Sequence, residues 1–335
     1  MSFQIAKNEQ TLARPSQVVS NATAEVKRTK VLIPYDGSEN TETALADLDR
    51  AGLPRSLDVI AVVTDVWMPL SPYELSRAVS ARRMKVLNAG ASSFVPALRD
   101  YEEQQALSLE AERRIRSIFP LGTVKTEAMH DTTQIANEIL RKAKQWKAEL
   151  IIVGSRVSPS SHITDYAGPA AKVAREANCS VRIARLPDQK SGYPVRIIIA
   201  VDGLDSAMLV QTVGDRNWPP SSEVRLVTVL KSGPRDPGKD SETTLMLAQA
   251  AEGLRAKGLT VSIATREGKP EEVLLQEARE FAADCIFIDS DGFGQELGGA
   301  TGLSKSAEAV MLGAPCSVEI VRTQQFEDPH LKPAA

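Results

Sequence analysis

Two carboxylates stand where this chain could do chemistry: Asp36 in Pro34-Tyr35-Asp36-Gly37-Ser38 and Asp202 in Val201-Asp202-Gly203. Each closes a run of apolar, mostly β-branched residues that opens on a base, Lys30 in one case and Arg196 in the other. Such a run, ended by a turn dipeptide, reads as a strand buried on both faces. A carboxylate at the C-terminal end of a buried strand lies where open α/β sheets bind ligands. Glycine-bearing loops follow two further apolar runs. Gly154-Ser155-Arg156 comes after Leu150–Val153, with Gly168 further on; Asp289-Ser290-Asp291-Gly292 comes after Cys285–Ile288, with Gly302 and Ser304 further on. Glycines let a backbone approach phosphates, and a following helix N-terminus offers free N–H groups to anions.

Other groups carry less. His130, His162 and His330 are scattered, without an evident partner for catalysis or metal binding. Cys179, Cys285 and Cys316 sit in apolar stretches and read as buried, reduced, structural thiols of a cytosolic protein, with redox sensing as the alternative. Asp289–Gly292 opens like a calcium loop, but Ala300 stands where the closing glutamate belongs, so a surface turn is expected.

The elements that must position these residues alternate strand and helix. In the first half, strands are expected at 30–35, 58–63, 124–128, 150–153 and 179–184. Helices are expected after Ser38, from Tyr101 to Ile118, from Gln134 to Lys147 and from Pro169 to Glu176. Ser38 is a fitting N-cap, with Glu39 and Glu42 in the first turn. The second half repeats the order. Its strands fall at 196–201, 224–230, 260–264, 285–288 and 316–322, and its helices at 206–213, 241–257, after Gly268-Lys269-Pro270, and at 304–312. The closing strands match closely, Cys-Ser-Val-Arg-Ile-Ala-Arg against Cys-Ser-Val-Glu-Ile-Val-Arg. Two doubly wound, five-stranded parallel-sheet α/β domains follow, at 29–185 and 195–322. Residues 1–28 and 323–335 read as flexible tails and 186–194 as a linker. The long segment 66–100 reads as a surface excursion, with a lid or partner-docking segment as the alternative.

Composition is that of a globular protein: 335 residues, 42% hydrophobic, 25% charged and a net charge of −3. No global basic field argues for nucleic acid. No apolar run approaches the roughly 18 residues that span a bilayer.

The order of these pieces, twice over, resembles the universal stress protein family in its tandem form. The pieces are Asp-Gly-Ser after strand one, Gly268-Lys269-Pro270, Ile152-Val153-Gly154-Ser155-Arg156, and Pro315-Cys316-Ser317-Val318 with its partner Asn178-Cys179-Ser180-Val181. The resemblance implies an adenine nucleotide alpha hydrolase-like sheet of order 3-2-1-4-5 in each domain. It also implies pairing of the two domains through strand five, with a homo-oligomer as a further option. Some members of the family bind ATP and some do not. The binders carry Gly-x2-Gly-x9-Gly-Ser/Thr after strand four, and their aspartate after strand one lies beside the nucleoside.

Against that pattern the first half keeps Gly154 but has Val157 for the second glycine, and Pro169 where a hydroxyl is wanted. The second half has Asp289 for the first glycine, keeps Gly292 and Gly302, and offers Ser304 late. A carboxylate about 4 Å from a phosphate costs on the order of 4 kcal/mol at an effective dielectric of 20. The reading is therefore a non-enzymatic, cytoplasmic stress-response regulator acting through a protein partner, with degenerate nucleotide pockets and no required cofactor. One alternative is an ATP-binding switch using the first half, through Pro34, Tyr35, Asp36, Gly154, Ser155, Arg156 and Gly168. The second-half equivalents are Asp202, Gly292, Gly302 and Ser304. Another alternative, an ATP-dependent transferase of the wider superfamily, rests on Val201–Ser206. That stretch resembles the phosphate loop of ATP pyrophosphatases but places Asp202 where a glycine is needed.

Overall fold

The computed structural model describes residues 28–63, 94–129, 134–155, 168–185, 194–230, 237–293 and 302–322. Arg156, Val157, all three histidines, the linker except Pro194, residues 66–93 of the excursion, and the two expected tails except Arg28 lie outside them.

In the first half the strands are Lys30–Tyr35 (β1), Asp58–Val63 (β2), Thr123–Ala128 (β3), Leu150–Gly154 (β4) and Ser180–Ala184 (β5). The helices are Glu39–Leu48 (α1), Phe94–Ile118 (α2), Ile135–Trp146 (α3) and Pro169–Glu176 (α4). The second half has strands Arg196–Val201 (β6), Glu223–Leu230 (β7), Thr260–Glu267 (β8), Cys285–Asp289 (β9) and Ser317–Val321 (β10). Its helices are Ala207–Gly214 (α5), Pro237–Ala256 (α6), Pro270–Glu280 (α7) and Lys305–Gly313 (α8). A 3-10 turn, Gly203–Ser206, leads into α5.

All ten strands form one sheet, in the order β3-β2-β1-β4-β5-β10-β9-β6-β7-β8. Each half has the expected order 3-2-1-4-5, and its internal pairings are parallel. The halves join where β5 and β10 pair antiparallel.

Three elements outrun their expected bounds by three residues or more. Helix α2 begins at Phe94, because Pro96 falls in its first turn, where a missing N–H breaks no intrahelical bond. Pro237 opens α6 for the same reason. Strand β8 continues to Glu267 because β7 pairs with it as far as Leu230.

Alternation along the strands separates two faces. Leu32, Ile60, Ile151 and Ile183 of the first half share a continuous core with Ile198, Ile286, Val318 and Ile320 of the second, under α3, α4, α7 and α8. The opposite face holds two separate cores, one under α1 and α2 and one under α5 and α6. Between those two cores lies charge. Arg182, 0% exposed, holds Asp47 with both Nε (2.5 Å) and Nη2 (3.0 Å), and reaches Glu319 with Nη1 (3.3 Å). Arg216 binds Glu319 in turn (2.8 Å) and the Ala51 carbonyl across the seam (2.7 Å).

The three thiols are buried and free. Burial pushes Cys179 and Cys285 up to about 12, and Cys316 higher still. Thiolate is the reactive form. Fewer than one thiol per native chain should therefore react with an aromatic disulfide reagent at pH 8 within minutes, and all three after denaturation. Rapid native labelling would mean that a thiol is accessible.

Candidate functional site

At the end of β1 the chain turns through Gly37, whose φ of +70° suits a residue without a Cβ. Ser38 then caps α1, its side chain accepting from the Thr41 N–H. The same turn organises Asp36. Its Oδ1 accepts from the Ser38 N–H (2.9 Å) and the Thr41 hydroxyl (2.6 Å). Burial pushes this carboxyl up, but the Ser38 and Thr41 hydroxyls, with the backbone N–H groups of Ser38 and Asp36, together outweigh burial and hold it below the usual carboxylate value. Asp36 is thus a fixed anion at neutral pH. Its contribution to stability is present above the unfolded carboxylate pKa and is lost as pH falls through the lower folded one.

Asp36 borders a cavity of about 470 Å3 at the C-terminal edge of the first half's strands. Pro34, Tyr35, Gly154, Ser155 and Gly168 border it too. Tyr35 is also packed in the core under α1 and α2. Gly168 is the N-cap of α4, with Pro169 at its first position, so the helix start faces the cavity with donors that lack intrahelical acceptors. Ile135 and Ile139 of α3, with Val153 and Ile183, give an apolar wall.

Among the lining residues that the sequence does not mark as site candidates, three depend on the meeting of the halves. Met311 and Leu312 come from α8, in the other half. Arg185, just past β5, lines the cavity and donates to the Cys316 carbonyl (3.1 Å) and the Met311 carbonyl. The repeated closing motif, which ends in Arg185 and Arg322, was the available signal. Arg322 makes the reciprocal contact, to the Ala174 carbonyl (2.6 Å).

The second-half residues are occupied with one another. Asp202 accepts the Phe293 N–H at 2.5 Å. Phe293 has φ of +60°, unusual for a bulky residue, and only 9% of it is exposed. Ser304 is fully buried: it caps α8 by accepting from the Ala307 N–H (3.0 Å) and donates to the Gly292 carbonyl (2.7 Å). Gly302 has φ of +61° beside the Arg175 carbonyl. Phe293 and Leu303 belong to the continuous core. Asp289 accepts from the Asp291 N–H (3.1 Å), within a turn closed by the Gly292 N–H on the Asp289 carbonyl (3.1 Å).

The chain matches the universal stress protein family over residues 27–185 and again over 195–322. It belongs to that family. Among solved structures, a universal stress protein from Archaeoglobus fulgidus DSM 4304 aligns over 89% of this chain and 97% of its own, at 19% identity and a TM-score of 0.55. UspA from Lactobacillus plantarum covers 39% of this chain and 100% of its own, at 13% identity and 0.32. A universal stress protein in complex with cAMP covers 39% and 99%, at 19% identity and 0.31. No curated protein matches significantly. The first of these likenesses supports the shared fold. Among the described residues of this universal stress protein, no helix is long and apolar enough to cross a membrane.

Proposed function

We propose that this universal stress protein is a non-enzymatic cytoplasmic regulator that holds one adenine nucleotide in its first half and signals through a protein partner. Residues 29–185 form the nucleotide-holding domain in this reading, and 195–322 the scaffold domain. One observation carries it: Asp36, the N-terminus of α4 and Arg185 converge on one cavity, whereas Asp202 is bonded to the Phe293 N–H of the loop after β9, the loop that would have to hold a second ligand. Small-molecule sites of about 300–1,000 Å3 combine apolar walls with a few convergent polar groups, and this cavity has that character. A fixed carboxylate suits a ribose hydroxyl, and a helix start with a nearby guanidinium suits phosphate. Arg156, beyond the described residues, is the remaining sequence-based candidate. The non-enzymatic part is supported by Asp36 itself, since a carboxylate held below its usual pKa is a weak general base.

Calorimetric titration with ATP and Mg2+ tests the reading. One site per chain is expected. Asp36→Ala should weaken binding about tenfold, the worth of one hydrogen bond to a charged group. Asp202→Ala should leave the stoichiometry at one. No heat at millimolar ATP, or two sites per chain, overturns the assignment. Steady phosphate release above the buffer blank overturns the non-enzymatic part.

A further inference from the structure

The closing strands carry one motif in two versions, and the register shows how the versions meet. Ile183 faces Val318, Arg182 faces Glu319 and Val181 faces Ile320. Equivalent motif positions therefore cross at a single point. That point is the pseudo-twofold axis of the chain, and Arg182 and Glu319 stand on it.

Several other contacts along the seam are similar in both directions. Val181 and Ile183 are matched by Val318 and Ile320. Arg185 crosses to the Met311 carbonyl in α8, and Arg322 crosses to the Ala174 carbonyl in α4. A seam made by two copies of one half would keep contacts of these kinds. At the axis itself the pair would change in character, to Arg182 against Arg182 or Glu319 against Glu319; off the axis, the Arg50–Asp284 and Arg175–Glu308 ion pairs also join unlike halves.

The flanking charges sharpen the difference. Asp47 binds Arg182 from within the first half, and Arg216 binds Glu319 from within the second. Across the seam the four charges alternate: Asp47, Arg182, Glu319, Arg216. Two copies of either half would set like charges at the centre of that line. Like charges directly opposite on antiparallel strands destabilise the pair. Here Arg182 is 0% and Glu319 1% exposed, so water screens them little.

We propose that the Arg182–Glu319 register is a pairing code by which each half accepts the unlike half and rejects a second copy of itself. The strand-five seam is then reserved for unlike halves. Whole chains associate through it only by exchanging them.

Three full-length variants test this. The first carries Asp47→Arg with Arg182→Glu, the second carries Arg216→Glu with Glu319→Arg, and the third carries all four changes. Each reversal keeps its half internally paired and reverses the charge that meets the axis; the first also removes the Ser317–Asp47 contact across the seam and the second the Arg216–Ala51 contact. The first two variants should each melt about 5–15 °C below the native chain. The fourfold variant, whose charges alternate again, should regain at least half of that loss. An equal mixture of the first two should give a 1:1 two-chain complex in native mass spectrometry. A fourfold variant that melts at or below the weaker double variant overturns the code, and so does a mixture that holds single chains only. If either double variant fails to fold alone, co-expression of the two decides. Recovery of a soluble 1:1 complex supports the code, and recovery of neither chain overturns it.

Discussion

Arg182→Met is expected to destabilise the chain by about 3–5 kcal/mol, the range for removing one partner from a buried ion pair. Burial acts to strip the proton from this guanidinium, but Asp47 foremost, with Cys285 and Glu319, outweighs burial and holds its pKa well above the usual value. The side chain is fully buried, and Asp47 beside it is nearly so. Methionine fills much of the same volume but leaves the Asp47 carboxylate without its bidentate donor. Only the Ser317 hydroxyl (2.7 Å) then remains on Asp47 among its described side-chain partners. Glu319 keeps Arg216. Urea unfolding followed by circular dichroism measures the loss as a lower midpoint. Adding Asp47→Asn should recover part of it, because the orphaned charge goes. A single change worth under about 1 kcal/mol would mean that the seam tolerates the unpaired carboxylate.

Gly154→Ala is expected to lower stability by about 1–3 kcal/mol, as overpacking does, and to abolish ligand binding in the first-half cavity. A Cβ on Gly154 would lie 1.7 Å from the Asn40 carbonyl oxygen and 2.5 Å from its carbon. Both atoms are backbone, so the first turn of α1 must move. That turn supplies Ser38 and Thr41, the two residues that hold Asp36. Melting temperature and affinity should therefore fall together. Loss of binding with unchanged melting would instead point to direct contact between Gly154 and the ligand.

These two residues mark how far the sequence could be read. Apolar runs such as Val31–Ile33 and Ile197–Ile199 place the strands, because burial on both faces leaves a local pattern. Ser38 is legible as a cap because its side chain meets the N–H of Thr41 within one turn. Gly154 is legible as a glycine with a purpose, and it borders the cavity as expected of a site residue, but a second purpose is not legible. It admits the backbone of α1, a neighbour contributed from more than a hundred residues away in sequence. Ser304 fits the phosphate pattern and yet serves as a buried helix cap, since both jobs ask for a hydroxyl at a helix start. Arg182 was visible as one letter in a repeated motif. Its meaning depends on which strand pairs with which, and on register, and neither is written in a single strand. Arg185, Met311 and Leu312 reach the cavity only once the two halves have met.

Because Met311 and Leu312 of one half help wall a cavity built mainly by the other, an occupant works as a clamp. Any molecule bound there touches both halves, and its binding energy opposes their separation by RT ln(1 + [L]/Kd). The relation runs both ways: opening the seam weakens the ligand by the same factor by which bound ligand favours the closed seam. A hundredfold excess over Kd adds about 2.7 kcal/mol to the union of the halves. The concentration of a small metabolite would thereby be translated into how firmly the ten-stranded sheet stays closed at its middle.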